Sequence, residues 1–458
     1  MKILFVTYDL GYTDSIAIAF LSAIAKQLHH STFYCSLDRN NLSAEIKKIK
    51  PDVVGYSVNI YGYATVVKEH KKAKKIHDFI SIMGGPHPTT APETFPDSGM
   101  DAYCIGEGEH AFRDFLTCIE KGHSFDNVAN LITKNKRNPV RPLVEKLDEL
   151  PMPDRDLVFS NTFHKKTPKK TFFTSRGCPF SCAYCCNNIY KKIYHGKGKF
   201  VRRFSVERIL REIEDVRSKY RMDFVKFDDD CFAIKVDDWL EEFAEKYPKR
   251  IGLPFNCLLR FDRVDDKMLK LLKKAGCYSL HFSIDSTSEY VRENVLNRQM
   301  KENINIIKKF RMVRKYGIYS WVNYMTATPE STWKDDLNTI FVNKKARITY
   351  SGYSTTTPMK GTDLYNYCLE REYIRESSYY KKMPSFFDKS SLSCFDEKEK
   401  KIRRNVNLLG AIASKMPFPL DMFIVASIII LPPNKFFEKL YHFVYQYYMT
   451  KKIYKFPG

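Results

Sequence analysis

Arg176-Gly177-Cys178-Pro179-Phe180-Ser181-Cys182-Ala183-Tyr184-Cys185 spaces three cysteines as Cys-x3-Cys-x2-Cys, directly after a strand-like run at 171–175. Thiolates are soft ligands suited to iron-sulfur clusters, and one compact loop carrying three of them can hold three irons of a 4Fe-4S cube. The fourth iron then stays open to bind and reduce a cofactor, whereas a closed four-ligand site mostly transfers electrons or holds structure. Cys178, Cys182 and Cys185 are therefore the expected metal ligands. Cys186, the immediate neighbour of Cys185, should point its side chain elsewhere. A zinc site wants four ligands, usually as two separated pairs, and the chain offers no clean second pair. Cys35, Cys104, Cys118, Cys231, Cys257, Cys277, Cys368 and Cys394 lie in strand and helix patterns and read as buried, inert thiols.

Outward from this loop, strand-like runs recur near 171–175, 223–228, 254–259, 278–285, 319–326 and 347–355, with helical runs at 206–220, 236–247, 265–275 and 301–316. Six βα repeats predict a full or partial TIM barrel. Towards the N-terminus, strands at 2–7, 52–57, 80–83 and 102–105 alternate with helix-forming stretches such as 15–28 and 64–78. That alternation predicts a parallel sheet covered on both faces, whose ligands sit at the carboxyl ends of its strands. The loops there are Tyr8-Asp9-Leu10-Gly11, Ser57-Val58-Asn59, Gly84-Gly85-Pro86-His87 and Gly106-Glu107-Gly108-Glu109, and glycine lets backbone approach a ligand closely. The chain thus reads as α/β, with a first domain over 1–125, a Pro-punctuated linker over 126–165, a barrel over 166–370 and a mainly helical, aromatic and basic region over 371–458.

Composition narrows the classes. With 458 residues, 44% apolar and 28% charged, the chain is long enough for about three folding units and is neither collagen-like nor wholly disordered. The net charge of +22 favours acidic partners without choosing among nucleic acid, anionic lipid, phosphorylated substrates and acidic proteins. The longest apolar run, 422–431, is closed by Pro432 and Pro433 and is too short to span a bilayer. The first residues lack the apolar core and cleavage site of a signal peptide, so a cytoplasmic location is expected, with thiols or metal ligands in place of disulfides.

The cysteine loop resembles the signature of the radical S-adenosylmethionine (SAM) superfamily, Cys-x3-Cys-x-aromatic-Cys, through Cys178, Cys182, Tyr184 and Cys185. Phe227-Asp228-Asp229-Asp230-Cys231-Phe232, Asn256-Cys257-Leu258-Leu259-Arg260 and Phe282-Ser283-Ile284-Asp285-Ser286 look like the family's second-, third- and fourth-strand segments. Thr328-Pro329-Glu330-Ser331-Thr332 and Pro358-Met359-Lys360-Gly361-Thr362 resemble its later turns, although the first lacks the usual glycines and Asp285 stands where glutamate is more usual. The resemblance implies SAM contacts from Tyr184, Asp228, Asp229, Asp230, Arg260, Ser283 and Asp285. The chemistry agrees: the amino group of SAM wants carboxylates and its carboxylate wants a cation such as Arg260. Each aspartate of the 228–230 run is also a candidate helix cap.

The first 125 residues resemble the cobalamin-binding (B12-binding) domain fused to one branch of that superfamily, with the elements in the expected order after successive strands, which implies a flavodoxin-like or Rossmann-like parallel sheet. This implies cobalamin contacts from Tyr8, Ser57, Val58, Asn59, Gly84, Gly85, Pro86, His87, Gly106, Glu107 and Gly108. The usual Asp-x-His-x-x-Gly motif is missing, since Asp9-Leu10-Gly11-Tyr12-Thr13 holds no histidine, so cobalamin would bind without a protein histidine beneath the cobalt. His87 reads as a loop hydrogen-bond donor. The combined resemblance is to class B radical SAM methyltransferases: one electron from the cluster cleaves SAM to a 5'-deoxyadenosyl radical, a substrate carbon radical forms, and a methyl group passes to it from cobalamin. The implied partners are a small-molecule, lipid or natural-product substrate and a flavodoxin or ferredoxin reductant. Other readings remain: a cyclase or ring-rearranging enzyme with the same cofactors, an RNA-modifying methylthiotransferase, and a noncatalytic metal-binding scaffold. The RNA reading wants three further cluster cysteines in the first domain, whereas Cys35, Cys104 and Cys118 are dispersed, so nucleic acid is not the expected partner. The aromatic and basic run 436–455 reads as a cap on the barrel or as an amphipathic helix in peripheral contact with a membrane.

Overall fold

The computed structural model describes residues 1–8, 15–300, 305–375 and 388–455, in two compact units. The loop 9–14, which carries the Asp9-Leu10-Gly11-Tyr12-Thr13 reading, lies outside the described residues, as does the start of the helical run expected from 301.

The first unit comprises Met1–Thr167 with Ile189–Phe204 and Asp215–Arg221. Its sheet contains β1 (Lys2–Thr7), β2 (Ser31–Ser36), β3 (Val53–Ser57), β4 (Ile80–Gly84), β5 (Ala102–Cys104) and β6 (Leu131–Thr133), in the order β2-β1-β3-β4-β5-β6. The first five are parallel and β6 closes the edge antiparallel to β5. Ile3, Leu4, Phe5 and Val6 are all fully buried, as a central strand covered on both faces requires. Ser31-Thr32-Phe33-Tyr34-Cys35-Ser36 lacks a continuous apolar run, so this edge strand was not foreseen. Leu4, Val6, Val54, Tyr56, Val66 and Met83 share one apolar cluster under the strand ends.

The second unit comprises Pro168–Asn188, Ser205–Glu214 and Met222–Gly458. Its sheet holds β7 (Lys169–Phe172), then, past the two-residue strands β8 (Ser175–Arg176) and β9 (Arg202–Arg203), β10 (Phe224–Phe227), β11 (Phe255–Arg260), β12 (Cys277–Asp285), β13 (Tyr319–Thr326) and β14 (Tyr350–Thr355). These six pair in chain order and all parallel, an open half-barrel. Parallel neighbours in register point the same way, so Lys226, Asn256 and Ser279 form one row on the inner wall, and Leu258, His281 and Trp321 the next. The opposite face buries aromatics, Phe227, Phe243, Tyr247 and Phe255 packing ring on ring. Asp237, Asp265 and Thr332 cap the helices Asp238–Arg250, Asp266–Ala275 and Trp333–Ala346, so each helix starts at a defined residue.

The helix Asp363–Glu370 follows β14, and three α-helices lie among the described residues beyond 388. Glu397–Ala413 packs on β14 and on Trp333–Ala346, while Leu420–Ile430 and Lys435–Tyr448 pack on Glu397–Ala413. The chain then returns to the amino-terminal end of the barrel strands, where Ser279 Oγ donates to the Ile453 carbonyl at 2.7 Å and the Tyr454 ring meets Trp321 edge-on. Among the described residues no helix is long and apolar enough to cross a membrane.

Candidate active site

The cysteine loop is held from both sides. At its start, Asp229 Oδ1 accepts from Thr174 N (2.8 Å), Thr174 Oγ1 (3.0 Å) and Ser175 Oγ (2.6 Å), tying β10 to the exit of β7. In its middle, Ala183 N donates to the Leu296 carbonyl at 2.8 Å and the Ala183 carbonyl accepts from Leu364 N at 2.9 Å. Ala183 is buried against Val291, Val295, Leu296, Leu364 and Tyr365, so an apolar seat fixes the loop between its thiols. Asn297 Nδ2 also holds the Ser181 carbonyl at 2.8 Å, and Phe180 lies under the Arg260 guanidinium at 3.8 Å.

The sulfurs meet N–H donors. Arg298 Nη1 approaches Cys182 Sγ at 3.7 Å and Arg260 Nη1 at 4.0 Å, while Asn187 Nδ2 approaches Cys185 Sγ at 3.8 Å. Contrary to the expectation that its side chain points elsewhere, Cys186 turns towards Cys185: its hydrogen bond holds the Cys185 thiol down to about 7, against the upward push of burial, whereas burial raises Cys178 to about 12. Hydrogen bonds to sulfur of this kind tune iron-sulfur clusters. Three thiols on one loop are a soft donor set, each able to take a different iron of a cube, and so fit an iron-sulfur cluster.

Around the loop, the residues expected at SAM take distinct places. Asp228 Oδ1 pairs with Lys226 Nζ at 2.7 Å on the inner wall. Asp229 is buried in its anchoring role, and none of the three aspartates caps the next helix, which Asp237 does. Asp230 is open to solvent on one side, and its carboxyl is raised by enclosure in protein, with Asp228 adding to the rise and Asn187 opposing it. Arg260 is buried, its Nε on Asp262 Oδ1 at 2.6 Å and its Nη2 on the Gln299 carbonyl. Tyr184 Oη donates to Asp285 Oδ2 at 2.8 Å and accepts from Arg298 Nη1 at 3.0 Å. Ser283 gives its carbonyl to Arg298 Nη2.

Arg298, which pairs with Asp285 at 2.7 Å, was missed by sequence reasoning. It follows the wide helical turn Val291–Val295, where no hydrophobic period exists to place a side chain. Deeper in the barrel, His281 stacks on Trp321 with ring centroids 3.8 Å apart, and burial lowers its imidazole to about 3. Gly352 leaves room for both neighbours: a Cβ there would stand 2.6 Å from Asn323 Oδ1 and 3.2 Å from Trp321 Nε1.

In the first unit the four expected loops leave the carboxyl ends of β1, β3, β4 and β5. Tyr8, Ser57, Gly84 and Gly108 are partly accessible there and Asn59 is exposed, a polar rim suited to a flat ring bearing amides. Val58 and Pro86 shape this edge: Val58 N donates to the Gly84 carbonyl at 2.9 Å, and Pro86 opens the short helix Pro86–Thr90. His87 is buried, stacked on Tyr63 at 3.9 Å with its Nε2 3.1 Å from Thr94 Oγ1. Two of the glycines have a packing reason of their own. Gly85 sits at φ 101° with its missing Cβ 2.9 Å from the Val58 carbonyl, and Gly106 sits at φ 75° against Tyr194 Oη. Glu107 N donates to that hydroxyl at 2.7 Å, and the Glu107 carboxylate takes Arg202 in a fork at 2.7 and 3.0 Å.

Known proteins bear on these sites. The chain is 26% identical to the uncharacterized methyltransferase PH0819 of Pyrococcus horikoshii, over 80% of this chain and 81% of that one. It is 23% identical to the anaerobic magnesium-protoporphyrin IX monomethyl ester cyclase of Rubrivivax gelatinosus, over 71% of this chain and 59% of that protein. Its fold is similar to that of the cobalamin-dependent S-adenosylmethionine radical enzyme OxsB with aqua-cobalamin bound, at a TM-score of 0.69 and 16% identity, covering 98% of this chain and 72% of the other. Residues 4–116 match the B12 binding domain family and residues 172–340 the Radical SAM superfamily, one on each sheet whose strand ends carry the loops described above. The chain therefore belongs to the cobalamin-binding radical SAM superfamily of enzymes, whose cofactors are a 4Fe-4S cluster, SAM and cobalamin.

Proposed function

We propose that this enzyme methylates an unactivated carbon of a small-molecule, lipid or natural-product substrate. The observation that carries the reading is the three-cysteine loop, pinned at Ala183 and fed by Arg260 and Arg298, in a chain that also matches the B12 binding domain. When bound, the cluster supplies an electron to SAM and cobalamin supplies the methyl group. The protein's own residues hold and orient. Cys178, Cys182 and Cys185 hold three irons. Asp228 and Asp230 offer carboxylate oxygens to the SAM amino group, while Asp229 positions the loop itself. Tyr184, Asp285 and Arg298 form a buried hydrogen-bonded chain that keeps Cys182 beside a fixed positive charge. The Ser57, Asn59, Gly84 and Gly108 rim takes cobalamin in the first unit, with Glu107 fixing its loop through Arg202.

Similarity to PH0819 along most of both chains supports methylation, and similarity to the Rubrivivax cyclase favours ring formation as the second reading. Cys35 and Cys104 are buried in two different strands, β2 and β5, which speaks against a second cluster of the RNA-modifying type. The reductant is a flavodoxin or ferredoxin, and the location cytoplasmic. Anaerobic reconstitution with iron, sulfide, cobalamin and SAM carrying a deuterated methyl group tests this. Expected are about four irons per chain, retained cobalamin and 5'-deoxyadenosine. Loss of iron in Cys178→Ala, Cys182→Ala and Cys185→Ala, but not in Cys186→Ala, accompanies them. A fully loaded protein that releases no deoxyadenosine overturns the radical reading, and one that cannot retain cobalamin overturns the methyl-transfer reading.

A further inference from the structure

The base of the barrel, where its strands begin, carries two features that neither cofactor nor catalysis uses. One is a cavity of about 740 Å³ lined by Arg311, Arg314, Lys315, Lys344, Lys345 and Arg347, from the ends of the helices Ile306–Lys315 and Trp333–Ala346. Cations belong at helix C-termini, where they offset the dipole, but two such ends here converge on one space. Among the described residues only Lys344 of the six has a carboxylate partner, Asp421. The other five are exposed.

The second feature begins at that ion pair. Asp421 lies in the first turn of Leu420–Ile430, which contains no other charged residue. On and beside the first turn of this helix, at the barrel base, Phe418 is 78% exposed, Leu420 51%, Met422 45% and Phe423 67%. The next helix, Lys435–Tyr448, runs back to the base, where Tyr448 meets Tyr350, and adds Phe443 at 70%. Large apolar side chains left in water are costly unless a partner covers them. Leu420–Ile430, about 16 Å long, is too short to span a bilayer.

We propose that this enzyme docks on an anionic lipid bilayer through its barrel base, with headgroup phosphates in the basic cavity and Phe418, Leu420, Met422, Phe423 and Phe443 in the headgroup-acyl boundary. Charge complementarity selects this occupant. A second copy would bring the same cations against the cavity and be repelled, whereas an anionic leaflet supplies negative charge and apolar depth together. Docking at the strand starts leaves the opposite, cysteine-bearing end of the barrel free.

Vesicle sedimentation with the full chain tests the proposal, using phosphatidylcholine alone and with about 30 mol % phosphatidylglycerol. Binding to the mixed vesicles, little binding to the neutral ones, and loss on adding salt are expected. The double variant Arg314→Glu with Arg347→Glu should weaken binding by at least about tenfold, at roughly fivefold or more per cation. Phe423→Ser with Phe443→Ser should weaken it by at least about tenfold through lost apolar burial. Reconstituted iron content and deoxyadenosine yield from SAM alone should match the parent in both, which shows that the barrel is folded. Absence of binding to mixed vesicles by the parent overturns the proposal, as does binding unchanged in the variants. So does a concentration-dependent dimer, or a complex with an acidic protein, that the same substitutions abolish while the parent ignores vesicles.

Discussion

The Arg298 guanidinium stands between the Asp285 carboxylate, 2.7 Å away, and the Cys182 sulfur, 3.7 Å away. One buried cation thus serves both a barrel strand and a cluster thiol, and the two services separate by mutation. Arg298→Met strands a buried carboxylate and should cost about 3–5 kcal/mol in denaturant unfolding. Adding Asp285→Asn removes the orphaned charge and should recover most of that loss. The sulfur has lost its nearer donor in the double variant and keeps only Arg260 Nη1 at 4.0 Å, so its deoxyadenosine yield should stay about tenfold or more below the parent. Recovery of both readouts together would show that Arg298 acts only through stability.

Gly106 offers a test of the first unit. A Cβ at this position would stand 2.0 Å from Tyr194 Oη, on a backbone at φ 75°. Gly106→Ala should therefore destabilise by about 2–3 kcal/mol and lower cobalamin retention. Tyr194→Phe alone removes only the acceptor for Glu107 N and should cost about 1 kcal/mol. Combined with Gly106→Ala it should give partial rescue, because the ring carbon beneath the hydroxyl would still be 2.7 Å from the new methyl.

His281 gives the barrel a pH dependence. Burial against Trp321, with Lys226 adding to it, lowers the imidazole from 6.5 to about 3, so the native state binds fewer protons than the unfolded chain between those values. Stability from this group is full above about pH 6.5 and is lost as pH falls towards 3. Between about pH 5 and 6.5 His30 and His70, also lowered by burial, add to this slope, while Asp336, raised by burial to about 6, opposes it. The slope of unfolding free energy against pH in that interval should therefore be smaller in His281→Gln than in the parent by the share of one histidine.

The barrel strands were legible because buried parallel strands are written as apolar runs between helices of different period. The cysteine loop was legible because ligand spacing is a local property. What escaped is long-range and polar. Arg298 and Asp285 meet across an irregular turn, and no pattern in 291–298 announces it. The turn at Thr328-Pro329-Glu330 lacks glycine yet keeps left-handed backbone at Ala327 (φ 53°) and Glu330 (φ 64°). Arg403 holds that turn, donating to the Ser331 carbonyl and hydroxyl at 2.7 and 2.9 Å and to Asp336 at 2.7 Å. A clamp reaching back from the helix Glu397–Ala413 compensates for what composition seemed to forbid. In the first unit, β2 was missed for the opposite reason, its side chains being polar and aromatic at an edge.

The bond from Ser279 to the Ile453 carbonyl stitches the 449–454 segment into the floor of the half-barrel, 174 residues away in sequence. With Tyr454 against Trp321, this stopper sets how deep any occupant of the lumen can descend. Trimming or tagging the chain near residue 453 will therefore act as an alteration of the reaction chamber, not of a dispensable tail.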